Sequence, residues 1–203
     1  MRASLLILVM SIGCSSVASE AGGPTQLDAS VAVGGDAATT DASAGPAHHP
    51  LLKAGLHPDA SDALRALGIT TDRISQTIGN APASAGTHGV DGTADGLPFS
   101  AATDLRTGGM TETAIADELE ALGTAGFAAW YRQTGRDGWS GVTHIHVVWV
   151  SVGIKHSLRD QAHDYCNWKN GLVSHAIYTF HHFSQAAIDE VRARFLAHNP
   201  AVN

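Results

Sequence analysis

Twelve histidines stand against twelve lysines and arginines in this chain of 203 residues, and two of them share one apolar run, "GVTHIHVVWV" at 141–150. Alternation along a strand puts His144, His146, Val148 and Val150 on one face and Ile145, Val147 and Trp149 on the other. Two imidazoles placed this way can bind one metal ion through one ring while the second ring lies beside it. One strand cannot supply the three protein ligands of an open tetrahedral site, so the others must come from elsewhere. Taken alone the spacing is also met by a buried histidine bonded to a backbone carbonyl.

The upstream stretch "GTHGVDGTADGLPFSAATDLR" supplies what is missing. It holds His88, and it holds Asp104 on a strand face that Ser100 and Ala102 keep small. Small neighbours leave room around a carboxylate, and an aspartate without a partner would be costly in a strand. His88, Asp104 and His146 then form a set of two histidines and one carboxylate with a fourth position open. Asp95 is the alternative carboxylate, but it sits in "TADGLP", which reads as a turn. Asp104 is preferred.

The elements that must position these residues follow from periodicity. "DASDALRALGI" (59–69) spaces Ala60, Leu64 and Leu67 for a short helix closed by Gly68. Residues 79–98, rich in Gly, Ala and Asp, read as loop or loosely paired strand. "FSAATDLR" (99–106) alternates as a strand. "MTETAIADELEALGTAGF" places Ile115, Leu119 and Leu122 on one helical stripe behind a Thr111 cap. "FAAWYR" is a further strand, followed by the loop "QTGRDGWSG". A helix is expected from a Ser157 cap to an Asn170-Gly171 stop, and a last one over "SQAAIDEVRARFLAHNP" with Ile188, Val191 and Phe195 inward. The sum is an α+β domain with a small, mostly antiparallel sheet and flanking helices.

The remainder of the chain is of another kind. "MRASLLILVMSIGC" (1–14) has a basic Arg2, an apolar run and then Cys14, the layout of an export signal too short to span a bilayer as a helix. "SIGC" resembles a bacterial lipobox, which implies lipidation at Cys14; cleavage after Ala18 is the competing reading. Residues 15–50 are rich in Ala, Gly, Ser, Thr and Asp, a composition that cannot offset chain entropy by burial and predicts a disordered tether. Residues 51–203 are left as the folded domain. Localisation is therefore expected at the cell envelope, exported and lipid-anchored, with the lipid as the only tie to a membrane. Cys166 is the only cysteine after Cys14, which excludes a disulfide framework. A net charge of −7 without a basic cluster argues against nucleic acid as a partner. A monomer is expected.

On these residues the chain resembles the zinc metallopeptidases that include D-alanyl-D-alanine carboxypeptidases, murein endopeptidases and the hedgehog signalling domain. Their pattern is S-x-H-x-x-G-x-A-x-D-[LI], then a helix, then a strand that ends in a zinc-binding histidine, often as H-x-H. Over roughly 85–150, His88 matches the first ligand, Asp104 of "AATDL" the second and His146 of "HIH" the third. The resemblance implies a hedgehog/DD-peptidase-like fold, Zn2+ as cofactor and peptidoglycan stem peptides as substrate and partner. It also implies a cation for a terminal carboxylate, for which Arg73, Arg106 and Arg132 are available and Arg106 is preferred.

The chain departs from the pattern in three places. Fifteen residues separate His88 from Asp104 where the family has six, a spacing that Asp95 keeps. Gly86 stands where the family has serine. Thr143 stands where many carboxypeptidases carry a glutamate base, which leaves His144 and Asp137 of "RDGW" for that role. Without a base, the chain would be a non-catalytic, hedgehog-like zinc-binding surface protein.

Overall fold

The computed structural model describes residues 49–200 except 80, 81 and 83. The signal segment, Cys14 and residues 15–48 of the tether lie outside the described residues. The elements run α1 (Pro58–Ala66), β1 (Ile74–Gln76), α2 (Ala85–His88), β2 (Gly92–Ala94), β3 (Leu97–Phe99), β4 (Ala102–Leu105), α3 (Glu112–Thr124), β5 (Phe127–Arg132), β6 (His144–Trp149), α4 (His156–Tyr165) and α5 (Gln185–His198). The domain is α+β with a small antiparallel sheet and flanking helices. No helix among the described residues is long and apolar enough to cross a membrane.

Local chemistry explains the helix starts. Thr111 caps α3 by accepting from the Ala114 amide, and Ser184 caps α5 by accepting from the Ala187 amide. α1 opens on Pro58, whose missing N–H costs nothing in the first turn. The buried stripes are Ile115, Leu119 and Leu122 on α3, and Ile188 and Val191 on α5. Truncating a residue such as Leu119 to alanine would cost about 2–5 kcal/mol.

The main sheet has the order β1-β4-β6-β5, and each neighbouring pair is antiparallel. β5 and β6 are buried at every position, so this is a sheet covered on both faces. One face of β6 carries Ile145, Val147 and Trp149, with the Phe127 ring 4.7 Å from Trp149. The other carries His144 and His146 and meets α4. Register sets the site: Asp104 stands opposite His146 on one side, while Trp130 stands opposite His146 and Arg132 opposite His144 on the other.

Three boundaries differ from the sequence reading. The strand expected over 99–106 is two strands, because the Ser100 amide turns away to the Gly55 carbonyl between Phe99 and Ala102. Within 79–98 lie the four-residue α2 and a hairpin, β2–β3, closed by Asp95 and Gly96 at φ 50° and 76°, as a two-residue hairpin turn requires. α4 starts beside Lys155, not at a Ser157 cap, and stops at Tyr165. Ser157 instead donates to the Gly86 carbonyl. Past Tyr165 the chain reverses through Trp168 at φ 55°, which carries the Lys169 carbonyl to the Trp130 indole N–H at 2.9 Å.

Candidate metal centre

Asp104 and His146 are brought together by strand pairing, and His88 reaches them from α2. His146 Nδ1 lies 2.8 Å from Asp104 Oδ1, and His88 Nε2 lies 3.3 Å from Asp104 Oδ2. Buried His88, Asp104 and His146 are close enough to hold one metal ion, their ligand atoms all within 4.8 Å of one another. Asp95 is exposed in the hairpin turn, far from this role. His144 is also at hand, its Nε2 3.4 Å from Asp104 Oδ1.

The outward nitrogens of the three rings decide what the inward ones can do. His88 Nδ1 is 3.0 Å from the Thr77 carbonyl, His144 Nδ1 is 2.7 Å from the Val142 carbonyl, and His146 Nε2 is 3.0 Å from Gln161 Oε1. A carbonyl oxygen only accepts, and so does the Asp104 carboxylate on the inward side, so each ring stands between two acceptors. A neutral ring has one proton for two acceptors, so where the outward nitrogen keeps it the inward lone pair is turned on a carboxylate. Bare nitrogens and carboxylate oxygens repel unless a cation sits among them. His146 is fully buried, and burial lowers its pKa below the ordinary 6.5, so an extra proton is disfavoured there. A metal ion satisfies all of these atoms at once, and the donor set suits one: imidazoles with an outward acceptor each and one ionised carboxylate. Burial alone would raise the pKa of Asp104, but its contacts with His146 and His88 outweigh that and hold it well below the ordinary 3.8.

Each ring is also held from behind. Trp139 Nε1 donates to the same Val142 carbonyl that holds His144, and the Trp139 ring meets His144 edge-on at 5.3 Å. Trp139 lies so close over Gly141 that an added Cβ would stand 2.6 Å from the ring. Trp130 stacks against His146 at 6.2 Å. The His88 segment is fastened by Asp91, whose carboxylate accepts from the Ala101 amide, the Lys155 amide and Lys155 Nζ.

A cavity of about 720 Å³ opens over the site, and His88, Asp104, His144 and His146 all line it. Arg106 lines it from the end of β4, exposed, with Nη1 donating to the Asp72 carbonyl. Trp139, Val142 and Leu172 give the other side an apolar character. Asp137 does not line the cavity; it occupies a turn at φ 52°. Arg73 is paired with Glu118 at 2.8 Å. Arg132 is buried behind the site, with Nη1 on Asn170 Oδ1 and its guanidinium over the Trp130 ring, and burial lowers its pKa to about 10.

Gln161 is the site residue that the sequence reading missed. Its signal was present: Leu158, Gln161, Ala162 and Tyr165 form the buried stripe of α4, and a glutamine on an apolar stripe demands a partner. No family model, curated protein or solved structure matches this chain.

Proposed function

We propose that the protein is a zinc-dependent hydrolase of peptide bonds, acting on peptidoglycan stem peptides at the cell envelope. The observation that carries the reading is the convergence of ring nitrogens of His88, His144 and His146 on the Asp104 carboxylate beneath an open cavity. His88, Asp104 and His146 would hold the ion, and the mixture of imidazole and carboxylate favours zinc. Zinc in such a set supplies Lewis-acid chemistry, polarising a carbonyl and acidifying water.

The rest is the work of side chains. His144 keeps its proton on Nδ1 against the Val142 carbonyl and leaves the Nε2 lone pair facing the site. That lone pair takes the proton from the attacking water, and the protonated ring then hands it to the departing amine. His144 therefore fills the role left open by Thr143. Arg106 supplies a cation at the cavity wall for an anionic end of the substrate. Lipidation at Cys14 would hold the domain at the envelope on its tether, where such peptides are found.

One observation favours a second reading, a zinc-binding surface protein without hydrolytic activity. Thr143, at the position of the family's glutamate, is engaged with Thr134, accepting from its amide at 3.1 Å. The test is metal analysis of the purified protein, then incubation with muropeptides and mass spectrometry. The proposal expects one zinc per chain and a cleaved stem peptide that disappears in His144→Ala. Zinc without cleavage of any muropeptide selects the second reading, and absence of metal binding overturns both.

A further inference from the structure

His146 is in contact with two groups that compete for its one ring proton. Asp104 Oδ1 lies 2.8 Å from Nδ1 and Gln161 Oε1 lies 3.0 Å from Nε2. If Asp104 takes the proton, Nδ1 cannot bind a metal ion. If Gln161 takes it, the Nδ1 lone pair is free and points at the other ligands. The ring is closely enclosed: His146 is fully buried, Gln161 is 3% exposed and Trp130 stacks against the imidazole.

Gln161 itself is held firmly. The turn after α4 passes so near that a Cβ on Gly171 would stand 3.0 Å from both Cα and O of Gln161 and 2.7 Å from the Trp130 ring. The N-terminal end of the same helix fastens the segment that carries His88, through Ser157 on the Gly86 carbonyl and Lys155 Nζ on the Gly89 carbonyl. α4 thus reaches two of the three ligands, one by backbone fastening and one by choosing a tautomer.

We propose that Gln161 is the positioning residue of the metal centre, accepting the His146 Nε2 proton so that Nδ1 binds the ion. The inference rests on the metal reading above and deepens it. An outer-shell acceptor of this kind is worth about 10–100-fold in metal affinity.

The test measures Zn2+ affinity by chelator competition in the full chain, for wild type, Gln161→Met and Gln161→Glu. Methionine keeps the volume without the acceptor; glutamate keeps the acceptor. Gln161→Met is expected to bind zinc about 10–100-fold more weakly, and Gln161→Glu to recover most of that loss. A purely packing role would give no recovery in the glutamate variant. Histidine 15N spectra of the zinc-loaded wild type need no variant to fold: they are expected to place the proton on His146 Nε2 and the metal on Nδ1. The inference is overturned if Gln161→Met binds zinc like wild type, if Gln161→Glu binds as weakly as Gln161→Met, or if the spectra place the metal on Nε2. A wild type that binds zinc while Gln161→Met is unaffected overturns this inference alone; a wild type that binds none overturns the metal reading with it.

Discussion

Two of the ligands and the third are held in different ways. Asp104 and His146 face each other across paired strands, where the ladder of β4 and β6 fixes their separation and every flanking residue is buried. His88 ends a helix of four residues, and the strands that follow it, β2 and β3, pair with each other in a separate two-stranded sheet. That segment is fastened by side chains reaching backbone: Lys155 and Ser157 on carbonyls 89 and 86, Asp91 on two amides, and the His88 ring on the Thr77 carbonyl. Regular hydrogen bonding thus builds half of the site in advance, and polar contacts that are individually modest hold the other half. Opening of the His88 segment should therefore cost far less free energy than opening of the sheet.

The largest effect is expected on the sheet side. His146→Ala removes the closest partner of a buried carboxylate and leaves a cavity, so it should destabilise the metal-free protein by about 3–5 kcal/mol in urea unfolding and abolish metal binding. Asp104→Ala should also lose the metal. If either variant keeps both stability and metal, strand pairing does not build the site.

The segment side should respond to its fastenings. Lys155→Met breaks the charged bonds from Nζ to Asp91 and to the Gly89 carbonyl, at a cost of about 1.5–3 kcal/mol. Hydrogen exchange should then quicken over residues 84–91 and leave β6 unchanged. Zinc should slow exchange in 84–91 more than in the sheet, since it ties the weaker half to the stronger. Equal protection of both regions would erase the contrast.

The pH dependence separates the two halves further. The folded pKa of His146 lies below its ordinary 6.5, so between those values the unfolded state binds the extra proton. That of Asp104 lies below its ordinary 3.8, so there too the unfolded state binds more protons. Both signs agree: stability of the metal-free protein should fall as pH drops below about 6.5, and fall again below about 4. The upper step should vanish in His146→Gln.

Smaller effects test the periphery. His144→Ala should keep zinc and lose hydrolysis by about 10²–10⁴-fold. Asp95→Ala, in the exposed hairpin turn, should change metal binding by less than the error of a titration; zinc lost from Asp95→Ala and kept by Asp104→Ala would overturn the assignment.

Much of this was legible in the chain, and the reasons are physical. A period of two in "THIHVVWV" put both histidines on one face, and an aspartate among small residues in "SAATDLR" announced a carboxylate with a partner. The stripes of α3 and α5 and their Thr111 and Ser184 caps are local matters, decided within one or two turns. β1 was missed because three residues with one buried apolar side chain carry no period. The early end of α4 was missed because its cause lies at a distance, in the indole of Trp130 that claims the Lys169 carbonyl.

What the sequence by itself determined is the chemical inventory: which side chains can bind a metal, on which faces of which strands, in an α+β domain. Tertiary structure alone decided which of two aspartates meets the histidines, because the choice between Asp95 and Asp104 depends on a hairpin turn and a strand register. It alone placed Gln161 behind His146 and set Asp137 outside the cavity. Periodicity reports the direction of a side chain relative to its own strand or helix; which group stands at the end of that direction is fixed only when the elements pack.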